Sequence, residues 1–198
     1  MIRKKIYSAI SGGYEAPRED IKVFTGENQF VQPVMDAKIY KVLSHLYVDA
    51  DISVWVDGNI FPKLSVHELI DKYLPSGVDM AVFQHPYRNH LFEEFQALKY
   101  VERLRRSPKF MANIHRQEQH YKANGNIFAP MFECGFLIRR HNIDVEEFNN
   151  AWWAEICRWT ERDQLSFSYL LGKFPDIKLA AIPGNIRNHP DFTYTNLH

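Results

Sequence analysis

Apolar residues along the chain switch between a period of two and a helical period, and each switch marks an element. Lys4 to Ile10 reads as a first strand, stopped by Gly12-Gly13, and Ile21 to Phe24 as a short second one. Met35, Ile39, Val42 or Leu43, and Leu46 recur at helical spacing, which predicts an amphipathic helix over 35–46. Ile52 to Val56 is a compact β-rich run that ends at Asp57-Gly58, a strand followed by a turn. Ser65-Val-His-Glu68 has the form of a capping box and opens a helix over 66–74. Val78 to Phe83 is another apolar strand, closed by Gln84-His85-Pro86. Leu91, Phe95, Leu98, Val101 and Leu104 mark a long helix with its charges on the other face. A helix near 113–123 follows, then a strand centred on Phe136 to Ile138. Helices near 145–158 and 162–171 come next, and a last strand over 177–182 is ended by Pro183-Gly184.

Strands and helices therefore alternate. That order predicts an α/β fold with a largely parallel sheet and helices on its faces. No repeat, low-complexity segment or linker divides the chain, so residues 1–198 read as one domain. In such sheets ligands sit in the crevice at the carboxyl ends of the strands, which directs attention to polar residues just past each strand.

Composition narrows the classes. Lys+Arg and Asp+Glu both number 24, so no global charge draws in nucleic acid or an anionic membrane. A hydrophobic content of 45% argues against disorder. Aromatics reach 14%; most serve the core, and a minority can form flat faces on which sugar rings pack. Cys134 and Cys157 are too few and too isolated for a disulfide scaffold or a zinc site, and read as reduced thiols. No signal-like apolar run follows the basic N-terminal residues, no stretch has the ~20 apolar residues of a membrane span, and there is no Asn-x-Ser/Thr sequon. A cytoplasmic setting is the expectation.

Asp57 heads the candidates for chemistry. It directly follows a strand, with Gly58 beside it to let a ligand approach and Asn59 adding a neutral oxygen. A carboxylate there can hold Mg²⁺ or Mn²⁺ against a diphosphate; the plain alternative is a turn that only ends a strand. Asp49-Ala50-Asp51 is a literal D-x-D, but it precedes the strand, roughly 20 Å from Asp57, and reads as a solvated loop. Lys38, Lys41 and His45 share one face of the 35–46 helix, which can meet a diphosphate or simply face solvent. Ser11 and Gly12 end the first strand, where glycine lets the backbone lie against a base or ribose. His85 and Arg88 follow a strand and should face the crevice, while Glu93 and Glu94 read as helix N-terminal acids. Glu133 precedes the Phe136–Ile138 strand and Arg139-Arg140 follow it, one of the two reaching the site. Thr160 as N-cap explains Asp163 three positions on, but not Arg162 or Gln164 beside it. His189 is a candidate further metal ligand or an ordinary surface histidine.

In order, these blocks resemble one family. Ile6 to Tyr14, then Lys38, Lys41 and His45, Ser53-Val-Trp-Val-Asp-Gly58, His85-Pro-x-Arg88 with Phe92-Glu-Glu94, Glu133 to Asn142, and Trp152 through Thr160-x-Arg-Asp-Gln-Leu-Ser-Phe167 look like the glycosyltransferase-like domain of the plant mucilage and turgor-related Golgi proteins. The likeness covers residues 6–167. It implies a GT-A-like, Rossmann-like fold, a nucleotide-sugar donor at the sheet's carboxyl edge, a glycan or other hydroxyl acceptor, and a divalent metal, Mn²⁺ or Mg²⁺. In that reading Asp57 holds the metal, with His189 a further ligand, and Lys41 and Arg88 steady the phosphates. Asp163 and Gln164 touch the transferred sugar, and Asp163 or Glu133 acts as base if the reaction inverts. Asp57-Gly58-Asn59 lacks the second carboxylate of D-x-D. The acceptor region is small or borrowed from a partner, which leaves room for a homo-oligomer. The alternatives are a non-catalytic nucleotide-sugar or glycan-binding module, and a metal-dependent phosphoesterase built on His85, Asp57 and His189.

Overall fold

A computed structural model describes residues 2–12, 18–25, 29–101 and 107–195. The strands are β1 (Lys4–Ile10), β2 (Lys22–Thr25), β3 (Ile52–Val56), β4 (Ile60–Pro62), β5 (Met80–Gln84), β6 (Phe132–Arg140), β7 (Leu179–Ile182) and β8 (Phe192–Tyr194). The helices, numbered along the chain, are α1 (Pro33–Val42), α2 (Ser44–Tyr47), α3 (Val66–Tyr73), α4 (Leu91–Leu98), α5 (Pro108–Asn124), α6 (Ile143–Arg158) and α7 (Asp163–Leu171).

Six strands form one sheet in the order β2-β1-β3-β6-β5-β7, and β4 and β8 form a small separate ribbon. Every strand of the large sheet runs the same way except β6, which pairs antiparallel with both β3 and β5. The fold is thus α/β with a mostly parallel sheet, as the alternation predicts. Residues of alternating parity divide between two cores. Tyr7, Trp55, Val82 and Leu137 face α1 and the helices α4 to α7, burying Ile39, Phe95, Ile114, Trp152 and Phe167. Val54, Val56, Ala81, Phe136 and Ile138 face α3 and the C-terminal segment, burying Leu69, Ile70, Ile186 and Phe192. Each such fully buried apolar side chain contributes ~1.5–3 kcal/mol.

Local signals explain several boundaries. The Ser65 hydroxyl accepts from Glu68 N–H at 3.3 Å while the Glu68 carboxylate accepts from Ser65 N–H at 2.8 Å, so the predicted capping box opens α3. The predicted 35–46 helix is broken: Leu43, at φ −91° and ψ 44°, separates α1 from α2. His45 therefore leaves the lysine face and lies 3.4 Å from the Asn149 amide. The helix from Leu91 stops at Leu98, and Leu104 falls outside the described residues, as do Gly13 and Tyr14 of the predicted glycine turn. Thr160 does not cap α7. Arg162 holds the N-cap position without a side-chain cap, and the Thr160 hydroxyl donates to Gln117 Oε1 at 3.0 Å instead.

Candidate functional site

A cleft of about 870 Å³ opens at the carboxyl ends of β1, β3 and β5. Because β6 runs backwards, its first residues, Glu133 to Gly135, share that edge. Its last residues, Arg139 and Arg140, lie at the opposite one, beside Ile52 and Ser53.

β3 delivers Asp57. Trp55 lies two residues earlier on the same side of the chain, and its indole N–H donates to Asp57 Oδ1 at 2.8 Å. Lys41 Nζ reaches the same oxygen at 3.2 Å. One carboxylate oxygen is thus held, and the side chain remains 41% exposed toward the cleft. Across from it, Asp57 N–H donates to the Gly135 carbonyl at 2.8 Å. A Cβ at position 135 would sit 3.3 Å from Asp57 Oδ2 and 2.9 Å from Ile60 Cδ1, so glycine allows this close approach without a shift of either side chain.

α1 presents Lys38 and Lys41, three residues apart on one face. Both ammonium groups reach Asp163 Oδ2, at 3.1 Å and 2.7 Å. All three side chains are largely buried. Burial pushes the Lys38 pKa down even against the pull of Asp163. For Lys41 burial acts the same way, but Asp163 and Asp57 outweigh it and the pKa is raised. Burial would raise the Asp163 pKa, yet the two lysines hold it well below the usual carboxylate range. Asp163 is thus the shared counter-ion of the two lysines.

Arg139 fixes the end of α1. Its guanidinium is wholly buried and donates to the carbonyls of Lys41 (2.5 Å) and Val42 (3.1 Å), to Asn149 Oδ1 (3.1 Å) and to the Tyr7 hydroxyl (2.9 Å). A cation that satisfies last-turn carbonyls complements the helix dipole and ends the helix. Arg139 thus positions the end of α1, and with it Lys41, from the sheet edge opposite the cleft. Arg140 binds the carbonyl of Val78 at 2.8 Å, so neither arginine enters the cleft, contrary to the expectation from sequence.

A second network centres on Glu94, only 1% exposed. Its carboxylate takes Arg88 Nε at 2.8 Å, Arg162 Nη2 at 2.8 Å and Gln164 Nε2 at 3.0 Å. Arg88 Nη1 also lies 3.0 Å from His85 Nε2, and burial lowers the His85 pKa. The first turn of α7 stitches the networks together: Asp163 binds the lysines, while Arg162 and Gln164 bind Glu94. On the remaining wall, Arg187 Nη2 pairs with Glu133 Oε1 at 2.5 Å, and Glu133 Oε2 is buried without a hydrogen-bond partner among the described residues.

The cleft wall therefore gathers Ser11, Lys38, Lys41, Asp57, His85, Arg88, Glu133, Arg162, Asp163 and Gln164 from the sequence-predicted set. Gly12, at φ 71°, turns the chain behind Ser11 and is not on the wall. His189 is also elsewhere. Its ring packs against Phe83 and Phe192, 5.4 Å and 5.5 Å between centroids, and its Nδ1 accepts from Asp191 N–H. That placement corrects its assignment as a metal ligand and takes one of the two histidines, His85 and His189, out of the phosphoesterase alternative. Asp49 and Asp51 pair with Arg3 at the far end of β3, a surface loop as expected. Sequence reasoning read Glu94 only as a helix N-terminal acid and passed over Tyr87, Arg187 and Tyr194. Only Glu94 carried a signal: it interrupts the apolar stripe of Leu91, Phe95 and Leu98.

Among the described residues no group of three or more His, Cys, Asp or Glu side chains is arranged to hold a metal. Asp57 alone suits an ion that takes most of its oxygens from phosphate and water, the usual habit of Mg²⁺, and does not suit an all-protein cage.

Residues 21–187 match the TOD1/MUCI70 glycosyltransferase-like domain. Two Arabidopsis thaliana proteins are similar to the chain. Alkaline ceramidase TOD1 is 27% identical over 76% of the chain and 34% of its own length. Probable hexosyltransferase MUCI70 is 25% identical over 70% of the chain and 25% of its own length. The chain thus spans about a third or less of either relative. Among solved structures, a glycosyltransferase involved in glycosylation of the major capsid of PBCV-1 superposes with a TM-score of 0.48 at 10% identity, covering 92% of this chain and 81% of that one. With the family match running through β2, α1, the Asp57 strand and both networks of the cleft, the chain belongs to the TOD1/MUCI70 glycosyltransferase-like domain family.

Proposed function

We propose that the cleft binds a nucleoside-diphosphate sugar and transfers its sugar to a hydroxyl of a glycan or similar acceptor. The observation that carries this reading is the meeting of Lys38, Lys41, Arg88 and Arg162 with the half-free carboxylate of Asp57 at the sheet's carboxyl edge. A diphosphate supplies the anionic oxygens that such a group recognises. A divalent ion on Asp57 Oδ2 would add neutralisation of the leaving diphosphate.

In the transfer, the bond from the sugar's anomeric carbon to the diphosphate oxygen breaks, and its electron pair leaves with the nucleotide. A bond from the acceptor oxygen to that carbon forms, and the acceptor's proton passes to a base. Glu133 suits the base, since Oε2 is uncommitted while Arg187 steadies Oε1. Asp163 suits positioning, because its proton affinity is suppressed by the two lysines it aligns.

The ceramidase name of one relative suggests hydrolysis of a lipid amide. The sugar reading draws on the cations and carboxylates of the lining, Lys38, Lys41, Asp57, Arg88, Glu133, Arg162 and Asp163, which suit a diphosphate and hydroxyls. A second reading, a binding module without turnover, draws on the commitment of Asp163 to its lysines. Calorimetry with UDP- and GDP-sugars, with and without Mn²⁺, tests the proposal. Binding that strengthens with Mn²⁺ in wild type but not in Asp57→Ala supports the metal role. Equal donor affinity in the two proteins removes it, and donor binding without any release of nucleoside diphosphate favours the module.

A further inference from the structure

A smaller cavity of about 350 Å³ adjoins the cleft, and His85 and Tyr87 wall both spaces. Its other sides are Gln84, Pro86, Gly184 and Asn185. Tyr87 is 71% exposed, yet its side chain is pinned. Asn185 Nδ2 donates to its hydroxyl at 3.0 Å, and the His85 ring stands edge-on at 6.2 Å between centroids. Asn185 is itself fixed, its Oδ1 accepting from Arg187 N–H at 3.0 Å. An exposed ring already immobilised offers a flat apolar face with little side-chain entropy left to lose on binding.

The surroundings of that face are amides. Gln84 is exposed and makes no side-chain hydrogen bond among the described residues. Asn185 retains a second N–H, since an amide nitrogen carries two donors. Gly184, at φ 97°, takes the left-handed backbone conformation that leaves the cavity wall without a side chain. Among the described residues no lysine, arginine or carboxylate lines this smaller space; those side chains stay on the cleft side. An aromatic face bordered by amides and lacking formal charge fits a neutral polyol. Such a ligand sets its C–H face on the ring and its hydroxyls on the amides.

We infer that this smaller cavity is the acceptor-sugar subsite, with Tyr87 as its stacking platform and Gln84 and Asn185 as its hydroxyl-binding groups. The inference rests on the reading of the larger cleft as the donor site. Tyr87, as the shared wall, places a stacked sugar directly beside that cleft.

Saturation-transfer NMR tests it with two kinds of probe on wild type, Tyr87→Ala and Tyr87→Phe: the nucleotides UDP and GDP, and the disaccharides cellobiose, xylobiose and galactobiose. At least one disaccharide should bind wild type. Tyr87→Ala should weaken it about ten-fold or more, or about 1.4 kcal/mol, and by more than it weakens the nucleotide. Tyr87→Phe, which keeps the face and loses only the Asn185 bond, should stay within about three-fold, as the net worth of one hydrogen bond allows. Absence of disaccharide binding, or an equal loss of both probes in Tyr87→Ala, overturns the subsite while nucleotide binding by wild type upholds the donor cleft. Disaccharide binding with no nucleotide binding by wild type overturns the donor cleft, and the acceptor role falls with it.

Discussion

Asp163→Asn removes the anion that two buried ammonium groups share. Lys38 and Lys41 are only 15% and 6% exposed, and Lys41 keeps Asp57 at 3.2 Å while Lys38 keeps no carboxylate among the described residues. Taking one partner from a buried ion pair costs about 3–5 kcal/mol, because the other charge stays buried without compensation. Against a total stability of about 5–15 kcal/mol that is a large fraction. With a urea slope of roughly 2–3 kcal/mol per molar, the unfolding midpoint should fall by about 1–2 M. Urea titration at neutral pH, followed by tryptophan fluorescence, reads this directly through the buried Trp55 and Trp152. Adding Lys38→Met deletes the stranded charge and should return at least about 1 kcal/mol. Raising the pH should also narrow the deficit. The Lys38 pKa is already lowered by burial, so its neutral form stabilises the folded state as the solution becomes alkaline. A cost below about 1 kcal/mol, or a further loss on adding Lys38→Met, would refute the pairing. Asp163 would then be free to serve as a base.

Three further outcomes follow from the same geometry. Glu94→Gln should free Arg88 and Arg162, lowering stability by about 2 kcal/mol after allowance for their partial exposure. Nucleoside-diphosphate affinity should drop about ten-fold in the same variant, and calorimetry that finds it unchanged would separate the arginines from the ligand. Gly135→Ala should cost about 1–3 kcal/mol by overpacking against Ile60 and Asp57, and an unchanged melting curve would contradict the close approach. Burial, with Arg139 and His45 adding repulsion, pushes the His141 pKa down to about 4 from 6.5. The stability that His141 contributes is full above pH 6.5, the unfolded value, and is lost as pH falls toward 4. The loss is roughly 2 kcal/mol once its partial exposure is discounted. His141→Asn should flatten that part of the profile, and an identical acid profile in the variant would locate the titration elsewhere.

The strands of period two were the most legible part of the chain. β1 and β3 begin and end where their apolar runs do, and the capping box places α3. From β3 alone Asp57 falls at the sheet's carboxyl edge. Strand direction, in contrast, leaves no local signal. The reversal of β6 puts Arg139 and Arg140 at the far edge and Glu133 in the cleft, which only long-range pairing decides. The break at Leu43 was hidden because Arg139, nearly a hundred residues on, supplies the donors that end α1. β4 and β8 span three residues each, too short to show a period, yet their ribbon continues from Asn59 and brings Tyr194 to the cleft. Asp163 illustrates the limit on roles. Its presence in a motif was visible, but its function as counter-ion depends on the burial of two lysines from another helix.

A crystal structure of the protein soaked with a nucleoside-diphosphate sugar and Mn²⁺ tests the central claim most directly. The account predicts the diphosphate in the large cleft, within hydrogen-bonding reach of Lys41 or Arg88, with the ion on Asp57 Oδ2. A donor bound on another face, or a cleft that stays empty at saturating donor, would contradict it.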